Sequence, residues 1–281
     1  MAVIIDGNAV ASIIKERVRQ KVAALKKPPS LAVVLVGSDP GSLAYIAGKF
    51  KACEETGITS TLYELDEGVS QGELLALIER LNNDANIDAI LPQQPFPPHI
   101  DARAVVCMVD PAKDVDCLHP YNMGLVMAGE APMPSCTPSG VITMLDESGI
   151  KIEGKDCVVL GRSDVVGKPI AMLLMKRNAT VTICHSKTAD LESHTRRADI
   201  LVAAIRRPKF VTARMIKEGA AVIDVGINRL GGKKICGDVD YKDCFDKAGF
   251  ITRVPGGVGP VTVATLMENC LKASTLRDRR V

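Results

Sequence analysis

Residues Asp156 to Pro169, reading DCVVLGRSDVVGKP, join an apolar run to a glycine-bracketed turn and then to a helix-like pattern. Cys157, Val158, Val159 and Leu160 form the run, Gly161 stops it, and the helical rhythm begins after Gly167. Strand, tight turn and helix N-terminus in that order turn backbone N–H groups toward an anion, which is how α/β proteins hold phosphates. The spacing is not G-x-G-x-x-G, because Ser163 stands where the second glycine would be and the last glycine comes late. On these residues alone, a plain βα connection and a nucleotide site are both open.

Working outward, the same rhythm continues downstream. The pattern predicts a helix at 166–176, a strand at 180–184, a helix at 189–197, a strand at 199–204, a helix at 212–218 and a strand at 220–225. Upstream, Asp6-Gly7-Asn8 leads into a helix with Val10, Ile13, Ile14, Val18, Val22 and Leu25 in 3.6-residue spacing, ended by Pro28-Pro29. Strands are expected at 31–37, 59–65 and 87–91, with helices from Ser42, read as the cap, to Thr56 and over 71–83. Residues 110–138 read as loop-rich, and a further helix is expected over 139–148. Alternating strands and helices favour parallel sheets covered by helices. The fold class is therefore α/β in two domains: 1–139, and a Rossmann-like domain over 140–259, with a C-terminal helix from 260 to 281.

Composition narrows the class. With 281 residues, 47% hydrophobic and 24% charged, the chain has ample core, and 3% aromatics with no Trp make that core aliphatic. A formal net charge of +2 without dense basic runs argues against a nucleic-acid or membrane partner. No apolar run approaches membrane-spanning length, and MAVIIDGNAV lacks the layout of a signal peptide. Nine cysteines without a CxxC pair read as reduced thiols of a cytoplasmic protein, and the four histidines show no metal-ligand spacing.

Five segments carry candidate chemistry. Tyr45 and Lys49 are four residues apart on a predicted helix and so share a face; a desolvated lysine beside a phenol is a workable proton-transfer pair. Gln93 and Gln94 follow a strand directly, where ligands of open α/β sheets bind. Lys113-Asp114-Val115-Asp116 offers two carboxylates in one loop, suited to gripping a donor-rich ring. The strand ending at Cys184 is followed by His185-Ser186-Lys187, where an NAD-preferring fold usually carries an acid; with Arg162 in the glycine turn, these groups suit a 2′-phosphate. The segment VPGGVGPVT (254–262) packs three glycines and two prolines before the last helix, either as a ligand-touching loop or as a structural turn.

These segments, together with SLAYIAGKFKACEETGI (42–58), PAKDVDCLHPYN (111–122), PSCTPSGVITML (134–145), TICHSKT (182–188), VIDVGIN (222–228) and GDVD (237–240), resemble the bifunctional methylenetetrahydrofolate dehydrogenase/cyclohydrolase family over essentially the whole chain. The resemblance implies two α/β domains with a cleft between them, the last helix packing back on the first, folate-binding domain, and a homodimer. It implies NADP-dependent oxidation of 5,10-methylenetetrahydrofolate to the methenyl form and hydrolysis to 10-formyltetrahydrofolate, in one-carbon metabolism. By position it makes Lys49 the central group of the hydrolytic step, with Tyr45 beside it, Gln93 orienting it and Asp116 holding the pterin ring; Gly161, Arg162, Ser163, Ser186 and Ile227 would contact NADP.

Departures from the family pattern are local. Its Val-Gln-Leu-Pro-Leu-Pro stretch reads Pro92-Gln93-Gln94-Pro95-Phe96-Pro97, and the glycine after the second aspartate of KDVD is Cys117. A Gly-Lys-Pro turn reads Arg206-Arg207-Pro208, Lys209 stands at another usual glycine, and Arg253 replaces a proline. A positive φ at Arg206 would strain that turn and bear on coenzyme preference. A member with only one activity, or a folate-binding protein without catalysis, are the alternatives. Retention of Lys49 speaks against the second.

Overall fold

The computed structural model describes residues 1–231 and 234–278. In chain order the strands are β1 (Val3–Ile5), β2 (Ser30–Val36), β3 (Thr59–Leu65), β4 (Ala89–Pro92), β5 (Asp156–Leu160), β6 (Thr180–Cys184), β7 (Ile200–Ala203), β8 (Ala221–Asp224), β9 (Asn228–Arg229), β10 (Ile235–Cys236) and β11 (Phe250–Thr252). The helices are α1 (Gly7–Ala23), α2 (Pro40–Thr56), α3 (Gln71–Asn83), α4 (Ala102–Met108), α5 (Pro120–Ala128), α6 (Cys136–Glu147), α7 (Gly167–Lys176), α8 (Leu191–Thr195), α9 (Tyr241–Cys244) and α10 (Val258–Asp278).

Two compact α/β units result. One holds residues 1–12 and 137–262; the other holds 13–136 and the chain from Val263 onward. The units change over at residue 137, but residues 1–12 do not join the chain that follows them: β1 pairs in parallel with β11, Val3 against Phe250, which draws the first dozen residues into the later unit. The last helix starts at Val258 rather than 260, and residues 279–281 of the expected helix lie outside the described residues.

The six-stranded unit has the order β1-β11-β8-β7-β5-β6, and every pairing in it is parallel. Its central strands are buried throughout, β7 and β8 on both faces, which is why they read as unbroken apolar runs. The order reverses at β5, with β6 on one side and β7 on the other, so the carboxyl ends of β5 and β7 form a topological switch point. At Gly161, which ends β5, φ is +120°, and a Cβ would run into the carbonyl oxygen of Ala204 after β7; only glycine fits.

The three-stranded unit has the parallel order β3-β2-β4. Leu74, Leu77, Ile78 and Leu81 of α3 meet Ala32, Val34 and Ile90 in its core. Helix α3 opens on a capping box, Ser70 with Glu73. Helix α2 is capped by Asp39, which accepts from the Ser42 backbone N–H at 2.7 Å, so Ser42 lies inside the helix and is not its cap. Other differences have local causes. In the stretch read as loop, Pro120 opens a helix at its first turn, where a missing N–H costs nothing. The helix expected at 212–218 is one 3-10 turn, Ala213–Met215, because Ile216 returns to extended backbone. The three-residue strands β1 and β11 are too short to show a period.

Three of the departures from the family pattern sit at positive φ: Cys117 (+57°), Arg206 (+53°) and Lys209 (+51°). A side chain there costs about 1–2 kcal/mol. Lys209 is exposed and its backbone N–H still donates to the Gly237 carbonyl. Lys209→Gly should therefore stabilise the protein by about 0.5–1 kcal/mol, after the entropy that glycine adds to the unfolded chain is subtracted. Thermal unfolding of this variant beside Lys209→Ala measures it; equal melting temperatures for the two would contradict the account.

Candidate functional site

In the three-stranded unit, α2 carries Tyr45 and Lys49 one turn apart, with the Lys49 ammonium 4.7 Å from the centre of the Tyr45 ring. Lys49 is only 6% exposed, and its Nζ donates to Gln93 Oε1 at 2.9 Å. Gln93 is itself fixed: its N–H donates to the Val34 carbonyl on β2, and its Nε2 to the Gln94 carbonyl at 2.7 Å. Burial lowers the Lys49 pKa from the ordinary lysine value, and Asp116 opposes that shift. Three thiols also surround the amine, and burial pushes Cys53 up to about 11 and Cys136 and Cys270 further. With those thiols neutral, the Asp116 carboxylate is the charge that favours protonated Lys49. Tyr45 is 42% exposed as a residue, yet burial of its hydroxyl end, with Asp116 beside it, pushes the phenol up to about 12.

The two carboxylates of the KDVD segment have separate tasks. Asp114 is consumed internally, accepting from the N–H groups of Leu118 (3.2 Å) and His119 (2.8 Å) and from Asn122 Nδ2 (2.9 Å). Asp114 is therefore not available for the expected grip on a ring by both acids. Lys113 reaches away, donating to the carbonyls of Leu81, Asn82 and Asp84 at the end of α3. Cys117 is 1% exposed, so its side chain is packed inside the unit. Asn269 of α10 donates to the Val115 and Pro134 carbonyls, both at 2.9 Å, tying the last helix to this loop.

In the six-stranded unit, a cavity of about 290 Å³ opens at the switch point. Gly161 and Arg162 follow β5 into it, His185 and Ser186 follow β6, and Arg207 and Phe210 follow β7. Among the described residues lining it there is no carboxylate. A second cavity, about 430 Å³, is lined by Asp224, Gly226, Ile227, Arg253 and the VPGGVGP turn. Of the residues expected at a nucleotide, Gly161, Arg162 and Ser186 share the first cavity and Ile227 lines the second. Ser163 lines neither; its hydroxyl accepts from the Gly167 N–H at 3.3 Å and steadies the start of α7.

Two buried acids, absent from the sequence reading as functional groups, shape both cavities. Asp224 accepts from the N–H groups of Gly226, Asp238 and Val239. Asp238 accepts from three consecutive N–H groups, Ile205 (2.7 Å), Arg206 (3.0 Å) and Arg207 (2.7 Å), and from Asn228 Nδ2 (2.9 Å). A Cβ on Gly237 would strike the Asp224 carboxylate, so the GDVD glycine is there for close approach. Burial, then Asp238, raises the Asp224 pKa to about 6.

Comparison with known proteins covers the whole chain. Residues 5–116 match the family model described as tetrahydrofolate dehydrogenase/cyclohydrolase, catalytic domain, and residues 135–278 match its NAD(P)-binding domain. The chain is 52% identical over 274 residues to the bifunctional protein FolD of Lachnoclostridium phytofermentans, covering 96% of this chain and 97% of that one. It is 50% identical to the FolD of Acetivibrio thermocellus, with 99% of each chain covered. Among solved structures, the FolD dehydrogenase/cyclohydrolase of Campylobacter jejuni superposes with a TM-score of 0.96 at 44% identity, covering 99% of this chain and 100% of the other. The Trypanosoma brucei FolD, solved with NADP cofactor and inhibitor, gives 0.94 at 39% identity, with 99% of each chain covered.

Asp116→Asn removes the charge that opposes desolvation, so the Lys49 amine should titrate lower still. In protein carrying 13C-labelled lysine, the Lys49 Cε signal, assigned by its loss in Lys49→Met, should show its pH midpoint below the other lysines and fall further in Asp116→Asn. An upward move would contradict the electrostatic account.

Proposed function

The chain belongs to the tetrahydrofolate dehydrogenase/cyclohydrolase family, and we propose that it oxidises 5,10-methylenetetrahydrofolate with NADP and hydrolyses the methenyl product to 10-formyltetrahydrofolate. The observation that carries this is Lys49: a buried amine, depressed in pKa, fixed by Gln93 at 2.9 Å beside Tyr45 and Asp116. A protein that only bound folate would gain nothing from a desolvated lysine.

The first step needs little from the side chains. Hydride loss from the methylene carbon leaves a cation stabilised by the two flanking nitrogens, so orientation governs the rate more than acid or base. NADP, when bound, supplies the hydride acceptor. Its adenosine side would suit the 290 Å³ cavity, where Gly161 would let backbone approach closely, Arg162 and Ser186 would meet a 2′-phosphate, and no carboxylate is among the described lining residues. Ile227 serves the second cavity. Ser163 acts on this coenzyme only through the start of α7.

Hydrolysis does need proton movement. Water adds to the methenyl carbon, and neutral Lys49 takes its proton; Gln93 holds the amine in place. The tetrahedral adduct then opens: one carbon–nitrogen bond breaks as the carbonyl forms, protonated Lys49, favoured by Asp116, returns its proton to the leaving nitrogen, and the proton of the adduct hydroxyl passes to solvent, so one proton is released overall. Asp116 also accepts from the donor-rich pterin ring. We assign the chain to the cytoplasm as a homodimer, in keeping with nine unpaired cysteines; among the described residues no helix is long and apolar enough to cross a membrane.

Lys49→Met tests the assignment. Supplied with methylenetetrahydrofolate and NADP, it should still reduce coenzyme while methenyl product accumulates, with hydrolysis down by about 10²–10⁴-fold. Full hydrolytic turnover would remove Lys49 from the mechanism, and no reduced coenzyme from the unaltered protein, with NADP or NAD, would remove the dehydrogenase. The same variant should be more stable at neutral pH. The folded-state pKa of Lys49 lies below its unfolded value, so at neutral pH the buried amine carries a desolvation cost that is relieved only as pH rises toward the unfolded pKa.

A further inference from the structure

We propose that Arg207 is a coenzyme-specificity residue, supplying with Arg162 the paired positive charge that selects a 2′-phosphate. The inference rests on the NADP reading above and names the group in this chain that enforces it. Arg207 and Arg162 line the same cavity, which among its described lining residues holds no carboxylate. Neither forms an ion pair among the described residues, whereas Arg19, Arg177, Arg197, Arg214 and Arg253 each meet an acid. Two uncompensated guanidiniums in one concave site repel each other until an anion joins them, and a dianionic phosphate matches their fork geometry.

The placement of Arg207 is built in. Asp238 gathers the N–H groups of Ile205, Arg206 and Arg207 on one carboxylate and holds Arg206 at a φ of +53°. That twist divides neighbouring side chains: Arg207 lines the cavity and Arg206 does not. The Arg207 guanidinium then lies 4.1 Å from the centre of the Phe210 ring, which narrows its rotamers before any ligand arrives. Phe210 lines the same cavity. Asp238 is thus a positioning residue for Arg207, and its backbone grip explains how the turn tolerates an arginine where the family pattern has glycine.

Calorimetric titration of the full chain with 2′,5′-ADP and with 5′-AMP separates the claims without using catalysis. The unaltered protein should bind 2′,5′-ADP more tightly, and Arg207→Leu, which keeps apolar bulk near Phe210, should weaken 2′,5′-ADP by about 10–100-fold while changing 5′-AMP by less than about threefold. Arg207→Lys should recover part of the loss. Unchanged 2′,5′-ADP binding in Arg207→Leu, or equal weakening of both ligands, would overturn the role of Arg207 and leave the coenzyme reading intact. Equal binding of the two ligands by the unaltered protein would overturn the NADP reading itself.

Discussion

The six-stranded unit depends on two buried carboxylates that, among the described residues, are held without a cation. Asp224 and Asp238 are 3% and 0% exposed, and their charge is answered by backbone N–H groups and one asparagine amide. Asp238 fixes the turn after β7, Asp224 fixes the start of the GDVD segment, and the Asp238 N–H donates to Asp224, so the two are coupled. Desolvation raises Asp224 to about 6, above its unfolded value. Stability from this group therefore falls as pH rises from about 4 to 6, at a cost on the order of a few kcal/mol at neutral pH. That cost is spent on order at the carboxyl edge of the sheet, where both cavities open.

The sequence showed the frame well and the polar wiring poorly. Strands such as 31–37 and 157–160 were legible because a parallel strand covered on both faces is an unbroken apolar run. Strands β1 and β11 were not, since three residues hold no period and their pairing joins opposite ends of the chain. The proline-bearing stretch 110–138 reads as loop, yet Pro120 starts a helix within it. Helical spacing put Tyr45 and Lys49 on one face, and only the family resemblance set Gln93 beside Lys49; nothing local said that Asp114 would turn inward to the His119 N–H and Asn122. Asp224 and Asp238 are fourteen residues apart, and Asp238 grips a turn 31 to 33 residues upstream, beyond any window of sequence periodicity. The glycine positions now held by Cys117, Arg206 and Lys209 became visible only through the family pattern, and the backbone keeps the glycine conformation at all three.

The two units solve opposite electrostatic problems. Around Lys49 the side chains are buried and the thiols neutral, so the Asp116 charge tunes the amine. At the switch point, Arg162 and Arg207 gather with no acid among the described lining residues. One arrangement makes a proton mobile; the other makes an anion welcome.

Lys113 has a kinetic meaning beyond its place beside the acids. By holding three carbonyls at the end of α3 while Ile90 N–H holds the Lys113 carbonyl, it binds the Asp116 loop to a helix and a strand at once. Fluctuations that open this loop must also fray the last turn of α3, which places them among the rarer, larger openings of the unit rather than among free loop motions. The Asp116 carboxylate is thus already stationary, and any partner that met it would cost little conformational entropy of the loop.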